Sequence, residues 1–172
     1  MSLLSISEIT PYMYLSGYGC VYETKIRKLE ITHIIDCTNI PKTKKFEGIK
    51  YLEIPINDKE VEKIEKYFDS VIEFIKETKD SNGKVLIYCS AGVSRSPTLA
   101  MVSLIALENV SLQEAYHHIN TIRPIISPNT GFWRQMIDFE MKFKNGESTV
   151  TMLKGMRKGV PSCYLQRQKT TQ

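Results

Sequence analysis

The chain has 172 residues, 42% of them hydrophobic and 24% charged, enough for one globular domain with its own core and too few for two. Seven Pro and nine Gly are ordinary usage, and no run approaches the roughly 18 consecutive apolar residues of a membrane span, which excludes general disorder and membrane insertion. The net charge of +4 is unevenly spread: from Lys142 onward seven cations face Glu147 alone, so a mildly acidic body carries a basic tail, read as a solvated arm rather than a nucleic-acid surface.

In chain order, Met13 to Leu15 reads as an edge strand and Val21 to Leu29 as a helix. Ile31 to Asp36 and Ile49 to Ile54 are short β-branched runs, hence strands. Val61, Ile64, Tyr67, Phe68, Val71, Ile72 and Ile75 recur at helical spacing, and Ser81-Asn82-Gly83 ends that helix. Val85 to Tyr88 is an apolar strand, and Pro97 to Leu107 has almost no polar face, so it predicts a helix buried on most sides. Ser111 with Glu114 forms a capping box whose helix must stop before Pro124. A last helix runs from Thr130 to about Phe143, closed by Asn145-Gly146. Alternating strands and helices predict a single α/β domain over residues 1–144, a mainly parallel central sheet flanked by helices on both faces. The basic tail, 145–172, follows, with Val160 to Tyr164 apolar enough to dock on the body.

The N-terminus lacks a basic segment and meets Glu8 early, so no secretory signal is expected and the chain is placed in the cytosol or nucleus. Cys20, Cys37, Cys89 and Cys163 are widely spaced without a CxxC pair, and His33, His117 and His118 show no metal spacing with them. Free thiols are expected there, with neither metal nor cofactor. Walker and dinucleotide glycine motifs are missing.

Directly after the strand ending at Tyr88 comes Cys89-Ser90-Ala91-Gly92-Val93-Ser94-Arg95-Ser96-Pro97, then the buried helix. A thiol at the carboxyl end of a strand therefore faces a helix N-terminus, where unpaired N–H groups and about half a positive charge make an anion site. Gly92 allows the tight loop in which successive N–H groups point inward as a nest. Arg95 adds a planar fork able to hold two oxygens of a phosphate, and Pro97 suits the first helical turn. The same field favours the ionised sulfur of Cys89. A lone Cys reads as a buried structural thiol; Cys, Gly and Arg in C-x5-R register between an apolar strand and an apolar helix read as a site.

This segment resembles the signature of the cysteine-dependent protein phosphatases, and Ala91-Gly92-Val93-Ser94-Arg95-Ser96 is similar to that of the small atypical dual-specificity phosphatases. Arg123-Pro124, Pro128-Asn129, Gly131-Phe132 and Gln135 extend the similarity, which covers roughly residues 6–144. It implies a cysteine-phosphatase-like fold and a hydrolase acting on phosphotyrosine and phosphoserine or phosphothreonine of protein substrates through a phosphocysteine. Cys89 would be the nucleophile. Residues Ser90, Ala91, Gly92, Val93, Ser94 and Arg95 would bind the phosphate, and Ser96 would assist departure of the thiolate or cap the helix.

Asp58 lies 31 residues before Cys89, where the family places its general acid; taken alone, before Lys59-Glu60, it reads as a helix N-cap. Asn129 would brace the loop or cap a helix, and Phe132 and Trp133 read as core anchors. The family normally has His where this chain has Tyr88, a loop-support position, so a phosphate-binding module with weak or no turnover is the alternative. Some relatives have a second cysteine near the place of Cys37 that forms a reversible disulfide with the nucleophile; a structural thiol is the other reading. A sulfurtransferase loop would be one residue shorter, and a lipid or RNA phosphatase loop would carry more charge than Ser90 to Ser94.

Overall fold

Strands and helices alternate along the computed structural model, which describes residues 3–155 and 157–169. The elements are β1 (Ser7–Thr10), β2 (Met13–Gly17), α1 (Glu23–Lys28), β3 (His33–Asp36), β4 (Lys50–Glu53), α2 (Phe68–Asp80), β5 (Val85–Cys89), α3 (Arg95–Glu108), α4 (Leu112–Ile122), α5 (Thr130–Lys144), β6 (Met152–Leu153) and β7 (Val160–Pro161). The main sheet has the order β1-β2-β5-β3-β4, antiparallel only between β1 and β2. Residues 170–172 of the basic tail lie outside the described residues.

Burial of all five β5 residues explains its central place: an apolar run without a polar face must be covered on both sides. Alternation along the strands then sorts side chains between two cores. Val85, Ile87 and Cys89 join Leu15, Ile35 and Cys37 beneath α2 to α5. Leu86 and Tyr88 join Tyr14, Ile34 and Ile26 on the α1 side. Cys89 and Tyr88, adjacent in sequence, therefore belong to opposite faces of the sheet.

α3 is the helix predicted to be buried, and it packs on β5 and on α2, α4 and α5. Its hydroxyls are satisfied locally, Thr98 Oγ1 donating to Ser94 O and Ser103 Oγ to Leu99 O, both at 2.8 Å. The capping box forms as read: Glu114 N–H donates to Ser111 Oγ at 3.0 Å and Ser111 N–H to the Glu114 carboxylate at 3.3 Å. Asn145 closes α5 in the left-handed region at φ 53°.

Two expectations need correction. Met13 to Leu15 is not an edge strand; β2 lies between β1 and β5, and the edge is β1, whose four residues alternate in burial too briefly to show as a pattern. The helix expected from Val61 begins later, because Val61 is exposed; a 3-10 turn at Ile64–Tyr67 leads into α2, which continues to Asp80.

Candidate active site

The carboxyl ends of β2, β3 and β5 meet at one edge of the sheet, where ligands of open parallel sheets bind. There the loop from Cys89 to Arg95 is tied back along its length. Ser90 O accepts from Tyr18 N–H (3.2 Å), Val93 O from Ser127 N–H (2.8 Å) and Ser94 O from Thr98 N–H (3.1 Å). Ala91 O and Gly92 O accept from Nη2 and Nε of Arg123 at 3.2 and 2.9 Å. In a trans peptide the N–H lies opposite the preceding C=O. With these carbonyls drawn outward, the N–H groups of residues 91–95 turn toward the hollow above Cys89, as a nest.

Gly92 makes this path possible, with φ +68° and no room for a side chain: a Cβ would lie 2.6 Å from both Arg123 Nη2 and Ser16 C. Gly17 is equally constrained, since a Cβ there would meet Ala91 C at 2.9 Å.

Cys89 is 2% exposed. Its Sγ accepts from Gly92 N–H at 3.2 Å and lies 3.1 Å from Ser96 Oγ. Ser96 sits inside α3 and is not its cap; Ser94 holds the N-cap position, and its hydroxyl is engaged elsewhere. Arg95 is 8% exposed and held by its far end: Nη1 donates to Thr38 O (2.9 Å) and Ile56 O (3.0 Å), and Nη2 to Ser90 Oγ (2.9 Å). Among the described residues, its buried Nε has no partner. An unmet buried donor on a charged group costs about 1–3 kcal/mol or more, and an oxyanion in the nest would meet it.

Asp58 is exposed and caps no helix. Its Oδ1 accepts from Ser94 Oγ at 2.7 Å and from Asn129 Nδ2 at 2.8 Å. Asn129 Oδ1 caps α5 through Phe132 N–H (2.9 Å), while the Asn129 backbone N–H donates to Ser94 Oγ (3.0 Å). Phe132 and Trp133 are fully buried core residues.

Tyr88 does not reach the thiol. Its hydroxyl donates to Asp36 Oδ2 at 2.9 Å on the far face of the sheet, and its ring stacks on Tyr18. Thr43 Oγ1 donates to the same oxygen (2.6 Å), and Thr38 donates its N–H and hydroxyl to Oδ1 (2.9 and 2.7 Å). Burial alone would raise the Asp36 carboxyl, but these hydrogen bonds prevail and hold it below its ordinary range. Burial first, then the Asp36 charge, pushes the Tyr88 phenol far above its ordinary value. Thr38 links this network to the site, because its carbonyl carries Arg95.

Cys37 follows Asp36 on the strand beside β5, one step past the Asp36–Tyr88 pair, so it neighbours Cys89. Its thiol is buried, donates to Tyr88 O at 3.1 Å, and is pushed up by burial and then by Cys89. Sequence reasoning assigned no role to Arg123, Asp36 or Thr38. Arg123 is fully buried, and its Nη1 also donates to Ser5 O and Ser7 Oγ, so one guanidinium joins the N-terminus to the back of the loop. Arg123-Pro124 was visible as part of a motif, but its bonding depends on chain segments far apart in sequence.

The family model for the dual specificity phosphatase catalytic domain matches residues 13–142. Dual specificity protein phosphatase 14 of Homo sapiens is 37% identical over 161 residues, covering 92% of this chain and 80% of that protein. The crystal structure of the human tyrosine phosphatase-like serine/threonine/tyrosine-interacting protein superposes with a TM-score of 0.76 at 30% identity, covering 81% of this chain and 97% of that one. Human DUSP28 shares the fold with a TM-score of 0.78 at 21% identity, over 81% of this chain and 95% of that one.

Proposed function

We propose, from the premise that the chain belongs to the dual specificity phosphatase family, that Cys89, Arg95, Ser96 and Asp58 carry its chemistry. The protein is a protein phosphatase, removing phosphate from tyrosine and from serine or threonine by way of a phosphocysteine. The observation that carries the residue assignment is the Gly92 N–H donated to Cys89 Sγ in the loop that ends at Arg95, whose buried Nε meets no partner among the described residues.

In the first step the Cys89 thiolate attacks phosphorus in line, so an S–P bond forms as the P–O bond to the substrate side chain breaks. The equatorial oxygens lie among the N–H groups of residues 91–95 and the Arg95 guanidinium, which stabilise their charge. Asp58 gives its proton to the departing oxygen. Ser94 and Asn129 both hold Oδ1, so Oδ2 is the oxygen that delivers it. In the second step water attacks phosphorus, Asp58 takes its proton, and the S–P bond breaks. Ser96 Oγ, 3.1 Å from Sγ, then donates to the returning thiolate.

The alternative of phosphate binding without turnover rests on Tyr88. That side chain faces away from Sγ, while the contacts of Sγ with Gly92 N–H and Ser96 do not involve it. This supports turnover. A reducing cytosolic or nuclear setting is part of this reading and suits the free thiols of Cys20, Cys37 and Cys89. The test is hydrolysis of a small aryl phosphate and a phosphopeptide panel by wild type, Cys89→Ser and Asp58→Ala. Wild-type turnover abolished in Cys89→Ser is expected; equal rates in those two proteins would overturn the assignment.

A further inference from the structure

The basic tail takes no part in the chemistry above, yet the fold brings it to the edge of the site. Val150 and Cys163 are buried, and Tyr164 packs on Tyr116 and Trp133, its hydroxyl accepting from the indole N–H at 3.1 Å. These contacts hold the β6–β7 hairpin against the body, and beyond the paired residues it carries exposed Lys154, Arg157 and Lys158. Together with Arg134 of α5 they line a hollow of about 340 Å³.

Lys158 pairs with Glu60 at 2.6 Å. Among the described residues, no ion pair involves Lys154, Arg157 or Arg134. Cations gathered around one concavity repel each other and raise the local concentration of anions. Their place is fixed by two independent links to Asp58. Glu60, the partner of Lys158, follows Asp58 closely in sequence, so their Cα atoms are at most about 7 Å apart. Arg134 stands about 6 Å along α5 from its first residue, and that helix is capped by Asn129, whose amide holds Asp58. The hollow is thus on the order of 10–15 Å from the acid, a span an extended peptide covers in about three to five residues.

We propose that this hollow is a second anion subsite, taking an acidic or phosphorylated side chain about three to five residues from the residue being dephosphorylated. The proposal rests on the reading of Cys89 as the catalytic centre. A membrane surface would attract the same charges, but cations set around a concavity beside the acid loop match a peptide already held at Cys89.

The experiment compares phosphotyrosine peptides that differ at that distance, bearing glutamine, glutamate or phosphoserine, on wild type and on Lys154→Ala/Arg157→Ala, which leaves the Lys158–Glu60 pair intact. Wild type should prefer the glutamate and phosphoserine peptides by about tenfold in kcat/KM, through KM, with the preference fading as salt rises to about 0.5 M. The double variant should treat all three as wild type treats the glutamine peptide, and should match wild type on a small aryl phosphate. Equal wild-type rates on all peptides, or equal losses on glutamine and glutamate peptides in the variant, overturn the proposal. So does loss of binding to phosphatidylserine vesicles with the peptide preference intact. If wild type turns over nothing, the catalytic reading has failed, and binding of the same peptides to Cys89→Ser protein decides the subsite: an acidic preference lost on adding the two alanines upholds it, and equal affinities overturn it.

Discussion

Tyr88 and Asp36 are direct neighbours across β5 and β3, and the phenol donates to the carboxylate at 2.9 Å. The pair lies on the face of the sheet opposite Cys89 and reaches the site through Thr38, whose carbonyl holds Arg95, and through Tyr18, which stacks on Tyr88 and donates its N–H to Ser90 O. Tyr88, next to Cys89 in sequence, thus supports the Arg95 guanidinium while its side chain faces away from the Cys89 sulfur. Tyr88→Phe should keep the ring stack on Tyr18 and lose one bond to a buried carboxylate, destabilising the fold by about 1–3 kcal/mol. Its turnover of a small aryl phosphate should fall less than about tenfold, corresponding to less than about 1.4 kcal/mol of barrier. Urea unfolding and steady-state kinetics on one preparation check both outcomes.

Asp36 also predicts a pH dependence. Its carboxyl is held below the ordinary range, because hydrogen bonds from Thr43, Thr38 and Tyr88 outweigh the opposing effect of burial. The folded state therefore holds the proton less readily than the unfolded state, and the stability this contributes is present at neutral pH and lost as pH falls through the folded value. Urea unfolding of wild type and Asp36→Asn should differ most near pH 7 and converge below about pH 4, the ordinary carboxylate range. A difference that stays constant across that range would show that ionisation of Asp36 contributes nothing.

Ser96→Ala should slow breakdown of the phosphocysteine more than its formation. A hydrogen bond to a charged group contributes about 1.5–3 kcal/mol, which corresponds to roughly a 10- to 150-fold loss in the second step. Rapid mixing with an activated aryl phosphate should then show a burst of phenolate followed by slow turnover, and intact mass spectrometry should find the protein carrying one phosphate.

Asp58→Asn separates leaving groups. Alkoxide leaving groups of phosphoserine and phosphothreonine need the proton, so kcat should drop by about 10²- to 10⁴-fold. An aryl phosphate whose phenol is already acidic should lose far less. Parallel losses on both substrates would move the acid to another residue.

Arg123→Met removes the guanidinium that carries Ala91 O, Gly92 O, Ser5 O and Ser7 Oγ. Loss of these four hydrogen bonds from one buried guanidinium should cost about 3 kcal/mol or more. Where the variant folds, the loop loses its outward tether, so inhibition by inorganic phosphate should weaken. Unchanged phosphate inhibition in a folded variant would show that the other tethers suffice.

Much of this molecule is legible in one dimension because its signals are local. The apolar run ending at Cys89, the all-apolar stretch from Pro97 and the Ser111 capping box are decided within a turn or a strand by periodicity and hydrogen-bond geometry. The C-x5-R spacing is equally local, since a strand, a loop and a helix N-terminus suffice to bring Cys89 and Arg95 to one hollow. β1 escaped because four residues of alternating burial carry too little pattern, and the late start of α2 because Val61 is apolar but exposed.

By itself, then, the amino-acid order determined the α/β class and the strand-loop-helix that sets Cys89 and Arg95 around one hollow, since each depends on neighbours a few positions apart. Only the tertiary structure decided what holds those groups in place: Arg123 behind the loop, Asp36 and Thr38 beneath Arg95, Asn129 on Asp58, and the basic hairpin beside the acid loop. These are contacts between segments dozens of residues apart. Their partners are chosen by which face of the sheet a residue occupies and by how the helices pack, and no linear spacing encodes that choice.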